Sequence, residues 1–546
     1  VRTRETPGRE RRTTLDGIDR PSASGGRGWR RAAYAGALAT TSAGGLVLEI
    51  VAGRMIAPYV GMSLYTWTAV IAVVLAGFSL GHWWGGRLSD GGARRCALRL
   101  AWLLLAAAAT TAACLPLIRL ASPWLLGGIA DPVTALVLLA LVLFLLPSLF
   151  IGTVSPILTR LAVDALPEAP GRAIGQMYAV GAAGSIAGTL LAGYLFLSWI
   201  GTIGTVLSVA GCYLLLALAF AAAARPARRE AAAALALALL AGLGIGAAGR
   251  PLAAFTAPCL EESDYYCIRV VDLTGEIGRP AALMVLDHLG HGINDRDDPA
   301  RLHSSYLRLT DRLLRARLGG RLDGPGAFSA FFVGGGAYTL PRAWAASHPR
   351  ARLTVAELDP AVTRVAERAL WLRPAPGLAI EHGDARRILQ GLPAQTRFDI
   401  VVGDAFHDIS VPQHLTTREF AGLLRRRLAP HGFYVLNAVD SARRPLFVYA
   451  VVRTLGAVFE TVEVWADAEQ LSGGGRITFL VVAGREPSPA ERYRGAPDAD
   501  DPEGTLWLRW PAEDLARRTA APDVPLLTDD YAPVDRLMLP VLAEDK

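Results

Sequence analysis

The sequence predicts a multi-pass α-helical membrane domain followed by an α/β domain with an open, mostly parallel sheet and a small N-terminal β-hairpin. Three observations support this division. The chain of 546 residues is 52% hydrophobic with a mean hydropathy of +0.33, and the apolar excess lies before residue 250. Beyond that point a strand-like run, Phe331-Phe332-Val333, stops abruptly at Gly334-Gly335-Gly336. A helix-compatible segment and a second apolar run ending in Glu357-Leu358-Asp359 follow, which is the strand, glycine turn, helix, strand, acid order of a nucleotide-binding βαβ unit.

Residues 1–31 are rich in Arg, Gly, Ser and Thr without periodicity and read as a disordered basic tail. The apolar stretch that follows is too long for the h-region of a signal peptide. Seven stretches of spanning length lie at 32–56, 65–86, 97–118, 133–155, 174–198, 202–224 and 231–248. Arginines gather in alternate joins: Arg87, Arg94 and Arg95; Arg160 and Arg172; Arg225, Arg228 and Arg229. The positive-inside rule makes those joins and the N-terminus cytoplasmic, in a bacterial inner membrane. Within the spans, Glu49 is either a proton or cation site or the partner of an arginine such as Arg54. Gly181, Gly184 and Gly188 have the spacing of a close helix–helix contact. Residues 85–95 resemble the loop between helices two and three of major facilitator transporters, and seven spans are about half of such a transporter.

In the second domain, residues 259–325 are expected to form a two-stranded hairpin and the helix Ser305–Leu318, with a polar loop around Asn294 to Asp298. Residues 326–485 form the Rossmann-like adenosyl-binding part. Further apolar runs there end at Gly383-Asp384, Gly403-Asp404 and Asn437, where an open α/β sheet keeps its ligand crevice. Glycines let the backbone approach a ligand, and an acid at the second strand's end can accept both ribose hydroxyls. No G-x-G-x-x-G is present, so the signals fit a class I methyltransferase-like fold rather than a NAD-binding one, with a closing antiparallel hairpin making a seven-stranded sheet. Residues 486–546 are a Pro/Asp-rich loop and a tail whose acids, Asp529, Asp530 and Asp535, could return to the crevice. The formal charge of +6 is modest and much of it sits in the tail, which makes no case for nucleic acid. Five cysteines show no metal-ligand spacing, so no metal is expected.

Five phrases carry a resemblance: Gly334 to Arg342, Glu357-Leu358-Asp359-Pro360, Gly383-Asp384-Ala385-Arg386, Asp404 to Asp408, and Val411 to Phe420. On these the soluble half resembles spermidine synthase, and the whole chain resembles the bacterial membrane-fused spermidine synthase-like proteins. The resemblance implies aminopropyl transfer from decarboxylated S-adenosylmethionine to a polyamine or other small amine. It assigns Gly334, Gly335, Gly336, Glu357, Asp359, Asp384 and Ala385 to the co-substrate, Asp404 with Asp408 to proton removal, and Asp287, His291 and Tyr306 to the acceptor. By analogy it also implies a homodimer.

There are departures. Soluble members place an acid after the third glycine, and here that residue is Ala337. Their two aspartates after the fourth strand are three apart, whereas Asp404 and Asp408 are four apart, and their hairpin glutamine is replaced by the stretch from His288 to His291. Two other functions stay open: a methyltransferase using S-adenosylmethionine itself, and a non-catalytic, transporter-like sensor of polyamines or nucleosides.

Topology conflicts with this chemistry. Seven passes from a cytoplasmic N-terminus put residues after 250 outside, while adenosyl donors are made inside. The stretch 231–248 is the weakest span and could lie at the surface. Cys259 and Cys267 could form a disulfide in an oxidising compartment, or remain two thiols.

Overall fold

The computed structural model describes residues 24–323, 328–405, 411–497, 501 and 503–544. Its membrane half consists of helices α1 (Ser24–Val60), α2 (Leu64–Leu88), α3 (Ala93–Gly128), α4 (Pro132–Asp164), α5 (Pro170–Leu191), α6 (Leu197–Ala224) and α7 (Arg228–Gly249). By length and composition there are six candidate spans among the described residues, because Pro170–Ala224 runs as one 55-residue apolar stretch. That stretch is not one pass. Gly201 breaks it with φ 65° and ψ −179°, a conformation open to glycine alone.

The chain reverses at this glycine. On α5, Gly184 lies against Ala39 and Gly188 against Ala43, so α5 runs in the direction of α1. On α6, Thr202 sits beside Glu262 of the soluble half, Tyr213 sits against Thr41 and Gly44, and Ala224 accepts a hydrogen bond from Arg94, so α6 runs back. The bundle thus has seven helices that traverse it, one more than the six candidate spans. In a bilayer every backbone group must be paired within the segment, which is why all seven are helical.

With hydrocarbon on the outside, helix association depends on close packing. The α1–α5 seam uses Gly184 and Gly188, as their spacing predicts. A second seam was not singled out in the sequence: Gly77, Gly81 and Gly85 of α2 lie on the backbone of α4 between Leu145 and Thr153. The expected Glu49–Arg54 pair does not form. Arg54 instead donates to the carbonyl oxygens of Tyr265 (2.5 Å) and Ser263 (2.6 Å) in the soluble half.

The first sheet of the soluble half has four strands in sequential order: β1 (Glu261–Glu262), β2 (Cys267–Asp272), β3 (Ala281–Leu286) and β4 (Leu289–Asp295). The two-strand expectation is therefore corrected. The polar segment ending at Asp295 is a strand paired with β3, and two of its polar side chains find partners inside: Asp295 with Arg279 at 2.5 Å, and the Asn294 amide with the carbonyl of Ala337 at 2.8 Å. Cys259 and Cys267 are joined in a disulfide. A single helical turn, α8 (Thr274–Ile277), and the amphipathic α9 (Ser305–Leu318) lead to the second sheet.

That sheet contains, in chain order, β5 (Ser329–Val333), β6 (Arg352–Glu357), β7 (Leu378–His382), β8 (Phe398–Gly403), β9 (Leu428–Ser441), β10 (Thr461–Asp467), β11 (Arg476–Gly484), β12 (Arg492–Arg494) and β13 (Leu506–Arg509). Their spatial order is β12-β13-β10-β11-β9-β8-β5-β6-β7, parallel from β9 to β7 and antiparallel elsewhere. The seven from β10 to β7 are the methyltransferase-like sheet, with β13 and β12 added at the β10 edge. Helices α10 (Thr339–Ser347), α11 (Pro360–Ala369), α12 (Ala385–Gly391), α13 (Arg418–Arg427) and α14 (Leu446–Gly456) connect its strands. The expectation of a structureless segment after residue 486 is corrected: β12 and β13 extend the sheet, Tyr493 stacks on Trp465 at 5.2 Å, and Leu527, Val534 and Val541 enter the core. These strands are too short to show a period-2 signal. The strand order reverses between β5 and β8, which places the crevice at the ends of those strands.

A side chain at Gly184 would run into the Ala39 carbonyl oxygen, part of a backbone that cannot yield. Gly184→Val should destabilise the bundle by about 1–3 kcal/mol, read as a lower thermal midpoint in detergent, whereas Gly211→Val, with open space at its Cβ, should not.

Candidate active site

The glycine turn follows directly from the sheet. Val333, the last residue of β5, lies between Ala356 of β6 and Gly403 of β8. The next residue, Gly334, has φ +97°, and a Cβ on it would meet the Asp404 carbonyl oxygen at 2.7 Å. The turn then presents two amide groups to Glu357 at the end of β6: Gly335 N–H and Gly336 N–H donate to Oε2 at 2.8 and 3.3 Å, and Asp359 N–H donates to Oε1 at 2.9 Å. Burial raises the Glu357 carboxyl above its ordinary range, and these three N–H groups partly offset the rise.

Glu357 lines a cavity of about 580 Å³ with Gly334, Gly336, Asp384, Ala385 and His414. Asp384 caps α12 by accepting the Arg387 N–H at 2.9 Å, and its other oxygen meets His414 Nε2 at 2.6 Å. Ala385 begins that helix. Asp359, in contrast, does not line the cavity: its carboxylate caps α11 and accepts the Ser263 hydroxyl.

Asp404 follows β8 at the switch point. Asn437 of β9 donates to its Oδ1 at 2.8 Å, and the Tyr306 hydroxyl of α9 donates to its Oδ2 at 3.2 Å. Burial raises the Asp404 carboxyl above the usual range, and these two donors partly offset the rise. A second cavity, about 1030 Å³, is lined by Asp404, Tyr306, Asn437, His291, Gly335, Gln470 and Arg476, among others. It shares Gly336, His291 and Asp404 with the first, so the two meet at those residues. Asp404 is the carboxylate among its described lining residues. Burial, with the neighbouring His288, pushes His291 down to about 4, so its imidazole is neutral at pH 7. Its Nε2 is buried without a hydrogen-bond partner among the described residues.

The residues singled out from the sequence thus divide. Gly334, Gly335, Gly336, Glu357, Asp384, Ala385, Asp404, His291 and Tyr306 all line one or both cavities. Asp287 does not; it sits at φ +53° in the β3–β4 turn and accepts the Cys267 N–H at 2.9 Å, a contact that holds the hairpin rather than a ligand. Asp408 lies outside the described residues. Of the tail acids, Asp529 returns to the rim, where Arg386 and Thr417 hold its carboxyl down to about 2. Asn437, His414, Gln470 and Arg476 had no assigned role. Asn437 carried a usable signal, a polar residue in an apolar strand.

Ala337 has a structural context. It is buried, and a Cβ on Gly292 of β4 would approach the Ala337 Cβ at 2.9 Å. The small residue after the third glycine and the glycine in β4 therefore fit each other.

No protein-family model matches the chain. It is 30% identical over 145 residues to a polyamine aminopropyltransferase of Vibrio vulnificus, covering 26% of this chain and 46% of the relative. It is 25% identical over 222 residues to a probable polyamine aminopropyl transferase of Bifidobacterium longum, covering 39% and 49%. The chain thus spans about half the length of these curated relatives. Among solved structures, a probable spermidine synthase from Corynebacterium glutamicum aligns over 50% of this chain and 97% of its own at 23% identity, with a TM-score of 0.42.

Removing the Glu357 carboxylate leaves three N–H donors of the turn without their acceptor. Glu357→Ala should cost about 1–3 kcal/mol of stability, measured by denaturant unfolding of the ligand-free protein, and Glu357→Gln, which keeps one carbonyl oxygen, should cost less.

Proposed function

We propose, from the premise that the chain is spermidine synthase-like, that it is a membrane-anchored aminopropyltransferase. It moves the aminopropyl group of decarboxylated S-adenosylmethionine to a polyamine or other small amine. The observation that carries this reading is Asp404, held by Asn437 and Tyr306 where the two cavities meet beside Gly336. One cavity suits an adenosyl group, with Glu357 for the ribose and Asp384 with His414 at the base. The other suits an extended amine.

In the reaction, the amine nitrogen attacks the aminopropyl carbon next to the sulfonium, the C–S bond breaks, and the electron pair neutralises the sulfur as a thioether. The nitrogen must first lose a proton, and Asp404 is the carboxylate positioned to take it. Burial raises its carboxyl, which makes it a stronger proton acceptor than an ordinary aspartate. Neutral His291 adds no positive charge beside the ammonium. A second reading, methyl transfer from S-adenosylmethionine, is favoured by Ala337, since no acid at that position holds the donor's ammonium.

The helices support a membrane protein, and we place it in the bacterial inner membrane with the soluble half facing out. The arginine-bearing joins lie at the end of the bundle marked by Arg94, Ala224 and Glu230. The soluble half meets the other end, through Arg54, Ser198 and Thr202. The α7 helix completes the crossing, from Glu230 beside Arg94 to Gly249 beside Phe255, whose neighbour Ala254 packs in the bundle. The Cys259–Cys267 disulfide fits an oxidising compartment. An adenosyl donor must then reach the outer face.

Asp404→Asn keeps the shape and removes the base. Turnover of an amine with decarboxylated S-adenosylmethionine should fall roughly 10²- to 10⁴-fold, with adenosyl affinity retained. Because the free carboxylate is the active form, wild-type rate should rise with pH through the elevated Asp404 range and be lost as pH falls. Product from S-adenosylmethionine and none from the decarboxylated donor would favour methyl transfer. For orientation, reporters fused after Lys546 are expected to give active alkaline phosphatase and dark green fluorescent protein; the converse pair would put the domain in the cytoplasm.

A further inference from the structure

An unbroken run of hydrogen bonds connects the end of the first membrane helix to the glycine turn. Glu357, which holds Gly335 and Gly336, accepts the Asp359 N–H at 2.9 Å. The Asp359 carboxylate is buried; Oδ1 caps α11 through Ala361 N–H at 2.9 Å, and Oδ2 accepts the Ser263 hydroxyl. That hydroxyl oxygen also accepts the N–H groups of Tyr265 (3.1 Å) and Tyr266 (2.9 Å), which fixes the tip of the hairpin. At the same tip the Arg54 guanidinium of α1 donates to the carbonyls of Ser263 and Tyr265.

The rest of the hairpin is gripped from both sides. Glu262 accepts the backbone N–H and the hydroxyl of Thr202, just past the Gly201 reversal, and Asp264 accepts the Ser198 hydroxyl at 2.6 Å. On the other side Glu261 pairs with Arg364 and Arg368 of α11, the helix that Asp359 caps. The Cys259–Cys267 disulfide closes the loop at its base. This is more contact than an anchor needs. A tether requires only a chain crossing, which residues 250–258 already supply, whereas these bonds reach the carboxylate that shapes the turn.

We infer that the membrane bundle is a positioning element of the adenosyl site: Arg54 and the Gly201 reversal hold the hairpin, and Ser263 transmits that hold through Asp359 to Glu357. Arg54, Ser263 and Asp359 are positioning residues and do not line the cavity that Glu357 faces. The inference rests on the reading that this cavity takes an adenosyl group. It means that the bilayer end of α1 acts on the donor site.

The test uses the full chain in lipid nanodiscs, with 5′-methylthioadenosine as the probe and calorimetry as the readout. Glu357→Gln reports on the adenosyl reading itself, and unchanged affinity there overturns that reading. Given a loss in Glu357→Gln, Ser263→Ala and Arg54→Gln are each expected to weaken binding about tenfold, since each removes a hydrogen bond to or from a charged group. Ser263→Thr, which keeps the hydroxyl, is expected to restore it. A passive structural role for Ser263 would give no such rescue. Wild-type affinity in both Ser263→Ala and Arg54→Gln overturns the inference. If Arg54→Gln does not assemble, Arg54→Lys serves in its place, since one ammonium cannot span both carbonyls; reduced affinity supports the inference and wild-type affinity overturns it.

Discussion

The soluble half depends on satisfying one buried carboxylate. Glu357 cannot stay ionised inside the protein unless donors fill its oxygens, and the donors are the amides of the glycine turn and of Asp359. That requirement decides the turn's shape. Gly334 must take a positive φ so that the chain clears the Asp404 carbonyl, and the following amides then point at Glu357. The same turn places Gly336 between the two cavities, so one electrostatic constraint shapes the walls of both.

Asp404 is governed by a similar balance, and burial raises its carboxyl as it raises that of Glu357. It has two side-chain donors rather than three backbone ones, and burial outweighs them. In the proposed reaction Asp404 takes the proton and Glu357 holds the ribose. These two acids, at the ends of β6 and β8 on either side of β5, thus differ in the donors around them, without any difference in the strand signals that announce them.

In the membrane half, the controlling constraint is close approach of backbones. Glycine seams on α2–α4 and α1–α5 bring helices together where no hydrophobic gain between them is available. These seams fix which helix ends meet the soluble half, and therefore which groups grip the hairpin. Arg54 shows the consequence. In an apolar helix a guanidinium needs acceptors, and the fold supplies the carbonyls of Ser263 and Tyr265 rather than Glu49.

The sequence by itself determined the division into an apolar helical part and an α/β part, the strands from β5 to β9, and the acids at their ends. These signals are local: apolar length, period, and a polar residue where a strand stops. The tertiary structure alone decided what depends on distant neighbours. The segment ending at Asp295 is a strand paired with β3, and Arg279 and Ala337 receive two of its polar side chains. Residues 506–509 are a strand because β10 offers them an edge, and residues 492–494 because 506–509 then offer one in turn. Asp287 and Asp359 look like site acids in sequence, yet their carboxylates serve a turn and a helix cap with a serine, since a local pattern records residue type and not direction. Asn437 and Ser263 reach Asp404 and Asp359 across 33 and 96 residues of chain, and no spacing rule spans such separations.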